Sequence, residues 1–154
     1  MEKLTIGSKI PAITSSDQNG KEISLQQFIG KKLVVYFYPK DDTPGCTAQA
    51  CSLRDGFETL SEKGIVVLGV SADNEKTHTK FIEKYKIPFS LLADTEKKII
   101  TAFGVWGSKQ FMGKTYDGIH RTSFLFSEDG TLIAVLEKPN TKDHANEIIK
   151  KYNL

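Results

Sequence analysis

Cys46 and Cys51 are the only cysteines of this chain, and both lie in the run Pro39-Lys40-Asp41-Asp42-Thr43-Pro44-Gly45-Cys46-Thr47-Ala48-Gln49-Ala50-Cys51, directly after the apolar stretch Leu33 to Tyr38. That stretch suits a strand buried on both faces, and the residues after it read as the start of a helix. With Thr43 as N-cap, Pro44 takes the first helical position, where its missing N–H costs nothing, and Cys46 falls in the first turn. Unpaired backbone N–H groups and the positive end of the helix dipole there favour a thiolate over a thiol, which makes Cys46 a candidate nucleophile. The alternative is a cysteine packed as a small hydrophobe. Cys51 does not have the two-residue spacing of a Cys-x-x-Cys pair, so it reads as a partner to Cys46 with its own geometry or, taken alone, as a buried structural cysteine.

The elements that must hold this run can be read from the rest of the chain. Its 154 residues, 39% hydrophobic and 26% charged, fit one globular domain, 1–154, that buries a core without metals or disulfide staples. The net charge of +2 is scattered, with no basic stripe for a phosphate backbone, which argues against a nucleic-acid partner. The N-terminus lacks the apolar run of a signal peptide, and no stretch has membrane length, so a cytoplasmic protein with no membrane partner is expected. In a reducing compartment a cysteine pair is catalytic or metal-binding more often than a permanent staple.

Ala12–Ser16 and Lys21–Ser24 flank Asp17-Gln18-Asn19-Gly20, the signature of an N-terminal hairpin. Ser24 is placed to cap a short helix to Ile29. Leu33–Tyr38 and Ile65–Val70 predict parallel strands joined by a helix that runs to about Lys63 and stops at Gly64. Asp73 then caps a helix to Lys86 in which Phe81, Ile82 and Tyr85 share a face, Leu91 and Leu92 mark a short strand, and Asp94 or Thr95 caps a helix to Phe103. Gly104 to Gly118 reads as a long glycine-punctuated loop. Ile119–Phe126 and Thr131–Leu136 predict a second hairpin, and Thr141 a cap for the last amphipathic helix.

Pro39-x-x-x-Thr43-x-x-Cys46 resembles the active-site signature of the peroxiredoxins. The five-residue cysteine spacing, the short chain and Arg121 within Ile119-His120-Arg121-Thr122-Ser123-Phe124 resemble the Q-type branch, also called bacterioferritin comigratory protein. The resemblance runs from the first hairpin to the last helix. It implies an α/β, thioredoxin-like fold with an N-terminal β-hairpin extension; a monomer with no cofactor and no metal is expected. It further implies that Cys46 is the peroxidatic nucleophile and Cys51 its resolving partner, with Thr43 and Arg121 orienting the peroxide and Pro39 shielding the pocket. A thioredoxin-like or glutaredoxin-like protein would then reduce the Cys46–Cys51 disulfide. The chain departs from many family members in carrying Gln49 where they have Glu, so a charged brace to an arginine is not available from that position.

Thiolate formation alone does little for such a reaction. For any thiol, lowering the pKa from about 8.5 to about 6 raises the thiolate fraction at pH 7 roughly thirtyfold. With a Brønsted coefficient near 0.4 to 0.5, the same shift costs about 10- to 18-fold in nucleophilicity, for a net gain of about twofold. Donors that hold the peroxide in line and stabilise charge on its leaving oxygen must therefore supply most of the acceleration, a role open to Thr43, backbone N–H groups and Arg121.

Arg121 taken alone reads as an ordinary edge-strand arginine, and the resemblance reverses that order. If it faces the pocket, strand alternation puts Ser123 on its side and turns His120 and Thr122 away. His78 and His144 fall on helices rich in Lys and Glu and read as solvated. Trp106 and Phe111 either line a pocket or tack the loop to the core. Two other functions fit the cysteines: a dithiol-disulfide oxidoreductase acting on proteins, and a copper chaperone using both thiols and a histidine. A zinc site is less attractive, because two cysteines supply half a tetrahedral shell.

Overall fold

The computed structural model describes residues 3–153. A five-stranded sheet in the order β5-β4-β3-β8-β9 forms its centre. β3 (Lys32–Phe37), β4 (Ile65–Ser71) and β5 (Ser90–Ala93) are parallel, while β8 (Thr122–Phe126) runs antiparallel to β3 and β9 (Leu132–Leu136) antiparallel to β8. The thioredoxin-like α/β fold is thus as expected. Its N-terminal extension is the hairpin β1 (Thr14–Ser16) and β2 (Glu22–Ser24), whose turn Asp17 closes by accepting from the N–H groups of Asn19 and Lys21 at 2.8 and 3.0 Å. A 3-10 turn, Leu25–Phe28, comes next.

Alternation along β3 divides the interior in two. Leu33, Val35 and Phe37 join Phe103, Ile99, Ile100 and Phe124 on one face, and Val34 and Tyr36, with Tyr38 beyond the strand, join Cys46, Leu53, Phe81 and Ile148 on the other. The first face is covered by α4 (Lys98–Phe103). The second is covered by α1 (Pro44–Asp55), α2 (Phe57–Glu62), α3 (Glu75–Tyr85) and α5 (His144–Lys151). Among the described residues no helix is long and apolar enough to cross a membrane.

Several expectations are corrected. The helix expected to reach Lys63 is interrupted at Gly56, because α5 packs directly on that point: a Cβ on Gly56 would lie 2.4 Å from the Ala145 Cβ. The segment 104–118 is largely the hairpin β6 (Trp106–Phe111) and β7 (Lys114–Ile119), turning through Met112 and Gly113 at φ 51° and 78°. Trp106 packs on the core, the tacking role, whereas Phe111 is exposed and fills neither role. The strand expected over Ile119–Phe126 is broken at His120-Arg121. Caps also shift: Asn74 rather than Asp73 caps α3, and Asp143 rather than Thr141 precedes α5. Lys97, at φ 60°, precedes α4, and Asp94 accepts from its Lys98 and Ile100 N–H groups at 3.0 and 2.8 Å.

Candidate active site

The turn from Tyr38 to Thr43 carries the chain from the end of β3 into α1. Thr43 occupies the N-cap position in extended conformation with Pro44 in the first turn, as its sequence predicts. Its hydroxyl does not cap the helix. It donates to the Lys40 carbonyl at 2.9 Å, which closes the turn and leaves the first N–H groups of α1 without a side-chain cap. Cys46, in that first turn, is buried; Cys51, on the same helix, is half-buried; both are free thiols. Pro39 and Thr43 are half-buried at the rim.

Arg121 enters from the break between β7 and β8, fixed by the His120 N–H bonded to the Val105 carbonyl at 2.7 Å. Its guanidinium donates to Cys46 Sγ at 3.3 Å and to Gln49 Oε1 at 2.7 Å, joining two residues one helical turn apart. The fork fits because position 45 has no side chain: a Cβ there would sit 3.1 Å from the Arg121 terminal nitrogen. The sequence leaves open what Gln49 does. Its buried amide oxygen braces Arg121 while its Nε2 finds no partner among the described residues. Ser123 does share the Arg121 side of the sheet, since its hydroxyl meets His144 on α5.

Lys109 adds a second cation, with its ammonium donating to the Ile119 carbonyl at 2.9 Å. Partial burial lowers its pKa, the Arg121 charge lowers it further, and Cys46 opposes both. Beneath Cys46, Gly69 makes room for the Tyr36 ring, which a Cβ would approach to 3.0 Å. The Tyr36 hydroxyl is fully buried without a partner among the described residues, and burial first, then the neighbouring Cys46 and Asp41, push its pKa well above 10.

His78 and His144, expected in solvent, are both completely buried. His78 Nδ1 lies 2.6 Å from Asp41 Oδ2 and its Nε2 2.9 Å from the Leu92 carbonyl. Asp41 also accepts from the Tyr38 hydroxyl at 2.6 Å, and its N–H donates to Asp73 at 2.8 Å. His144 lies between the Ser123 hydroxyl and Glu147, each at 2.7 Å. Neither signal is legible in the sequence, since each helix carries one apolar face beside many Lys and Glu. Asp41, Asp73 and His78 are the one cluster of metal-ligand types among the described residues, and neither cysteine belongs to it. Asp41 is bonded to His78 and to the Tyr38 hydroxyl, while Asp73 accepts from the Asp41 N–H and the Ser71 hydroxyl.

Residues 6–135 match the AhpC/TSA family model. The chain is 51% identical over 149 residues to a Haemophilus influenzae protein of the Bcp group, covering 97% of this chain and 96% of that one. It is 44% identical over 149 residues to Escherichia coli peroxiredoxin Bcp, with the same coverage. The solved structure of Xanthomonas campestris bacterioferritin comigratory protein superposes with a TM-score of 0.85 at 32% identity, over 92% of this chain and 90% of that one. Alkyl peroxide reduction is ascribed to that protein.

Proposed function

The chain belongs to the AhpC/TSA family, in its Bcp/PrxQ peroxiredoxin branch, and from that premise we propose that it reduces hydrogen peroxide and alkyl hydroperoxides through Cys46. The observation that carries this reading is the Arg121 guanidinium bonded to Cys46 Sγ at the uncapped N-terminus of α1. A peroxide seated there has cationic donors on one side and free backbone N–H groups on the other. The thiolate attacks the terminal oxygen, an S–O bond forms as the O–O bond breaks, and the leaving hydroxide or alkoxide takes up from solvent the equivalent of the proton that the thiol released, departing as water or alcohol. Arg121 and the N–H groups of the first turn stabilise the charge that moves onto the leaving oxygen. Thr43, tied to the Lys40 carbonyl, keeps lone pairs free to accept the peroxide O–H, and Pro39 screens the rim from water.

The Cys46 sulfenic acid then loses water to the Cys51 thiol, forming a disulfide that a thioredoxin-like or glutaredoxin-like dithiol protein reduces by exchange. In an ideal helix, residues five apart have Cα atoms roughly 8.6 Å apart. A disulfide accepts about 7 Å, so α1 unwinds before the sulfurs join. Peroxide consumption with a thioredoxin system, run beside Cys46→Ser, tests the reading: turnover lost with Cys46 supports it, and turnover retained overturns it.

A further inference from the structure

The two buried histidines have different neighbours. His144 faces a hydroxyl and a carboxylate, so a neutral ring satisfies both contacts, with Nδ1–H donating to Glu147 and Nε2 accepting from Ser123. His78 has no such choice. The Asp41 carboxylate and the Leu92 carbonyl are both acceptors, so both ring nitrogens must carry protons.

We infer that His78 is a buried imidazolium that serves as a positioning residue for the turn entering α1, locking Asp41 and through it the segment from Tyr38 to Thr43. Asp41 has one oxygen on His78 and the other on the Tyr38 hydroxyl, and its N–H is tied to Asp73, which also accepts from the Ser71 hydroxyl at 2.8 Å. The next residue, Asp42, sits at φ 56° and is gripped by Lys84 and Tyr85 at 2.8 and 2.6 Å. One helix, α3, thus holds two consecutive residues of the turn, and Thr43 comes directly after them. The titratable groups facing the ring are Asp41, Asp73 and Tyr38. Burial alone would lower the His78 pKa, but the hydrogen bond and charge of Asp41 outweigh it and raise the pKa above 6.5, in the same sense as the geometry.

The rate assay rests on the peroxidase reading; the protonation assay does not. Nitrogen-15 spectra of the full reduced chain should show both His78 ring nitrogens protonated at pH about 6.5, where an ordinary histidine is half deprotonated, with His144 singly protonated as an internal reference. A singly protonated His78 at that pH overturns the charge. Asp41→Asn should move loss of the second His78 proton to lower pH and slow sulfenic acid formation at least about fivefold. His78→Gln should slow the same step and abolish a fall in rate that the wild type shows as pH rises through the His78 transition. Should His78→Gln not fold, Asp41→Asn carries the test. Wild-type rates in a folded variant overturn the positioning role. A wild type that consumes no peroxide at all overturns the proposed function and leaves the spectra to decide the charge.

Discussion

Ser52 offers a direct handle on the proposed unwinding of α1. Its hydroxyl accepts from the His144 and Ala145 N–H groups at 2.8 and 3.4 Å, so a side chain of α1 caps the start of α5, whose own N-cap residue Asp143 makes no such bond. Losing a serine cap costs about 1 kcal/mol and up to about 2. Alanine returns about 0.5 kcal/mol through its helix propensity. Ser52→Ala therefore destabilises the wound form by about 0.5 to 1.5 kcal/mol, which shifts unwinding by about 2- to 13-fold. The hypothesis is that unwinding precedes condensation. Disulfide formation after one equivalent of peroxide, followed by quenched-flow thiol counting, should then accelerate by that factor, while sulfenic acid formation keeps its wild-type rate. Hydrogen exchange should show protection lost over residues 46–56 in the oxidised protein. A Ser52→Ala variant that forms its disulfide no faster than wild type, or full protection of the segment in protein proven to carry the bond, refutes the reasoning.

Cys46→Ser should abolish peroxide reduction, while Cys51→Ser should consume about one peroxide per chain and accumulate a trappable, readily overoxidised sulfenic acid; dimedone labelling and mass measurement check both. Arg121→Lys keeps the charge but loses the fork onto Cys46 and Gln49, so stopped-flow sulfenic acid formation should slow at least about tenfold, and a rate within about twofold of wild type would remove Arg121 from the reaction. Gly56→Ala should lower the melting temperature by overpacking worth about 1 to 3 kcal/mol, relieved by a compensating Ala145→Gly; an unchanged melting temperature contradicts the close packing. Burial first, helped by the Arg121 charge and opposed by Glu147, lowers the His144 pKa below 6.5. Its contribution is therefore present above pH about 6.5 and lost as pH falls through the folded value, because the unfolded chain takes up the proton first. Denaturant unfolding across that range should show a shallower acid slope in His144→Gln, and an identical slope would sink the assignment.

The strand, turn and helix around Cys46 are legible in the sequence because their signals are local: an apolar run, a Thr-Pro helix start and a cysteine in the first turn. Arg121 lies 75 residues from Cys46, and only the family resemblance brings it forward. Asp41 looks like part of a solvated charged run, and nothing local announces a partner 37 residues on. The hairpin β6–β7 reads as a loop because most of its residues are exposed, so it lacks the alternation that marks a half-buried strand. Gly56 is open to two readings, helix weakness and close approach. Its nearest neighbour, Ala145 on α5, supports the second.

The wound α1 has an electrochemical consequence. Its Ser52 bonds to α5, the Arg54 bond to the Tyr85 carbonyl at 2.8 Å, and the burial of Ala50 and Leu53 are made with both thiols free, and if the proposed disulfide requires unwinding they weigh against it. For a two-electron couple, each 1.4 kcal/mol withheld in this way makes the pair about 30 mV more oxidising. On the proposed cycle, recoiling of the helix would act as a spring that pulls electrons out of the donor protein, and substitutions that stiffen α1 should shift the redox potential of the cysteines without touching a sulfur.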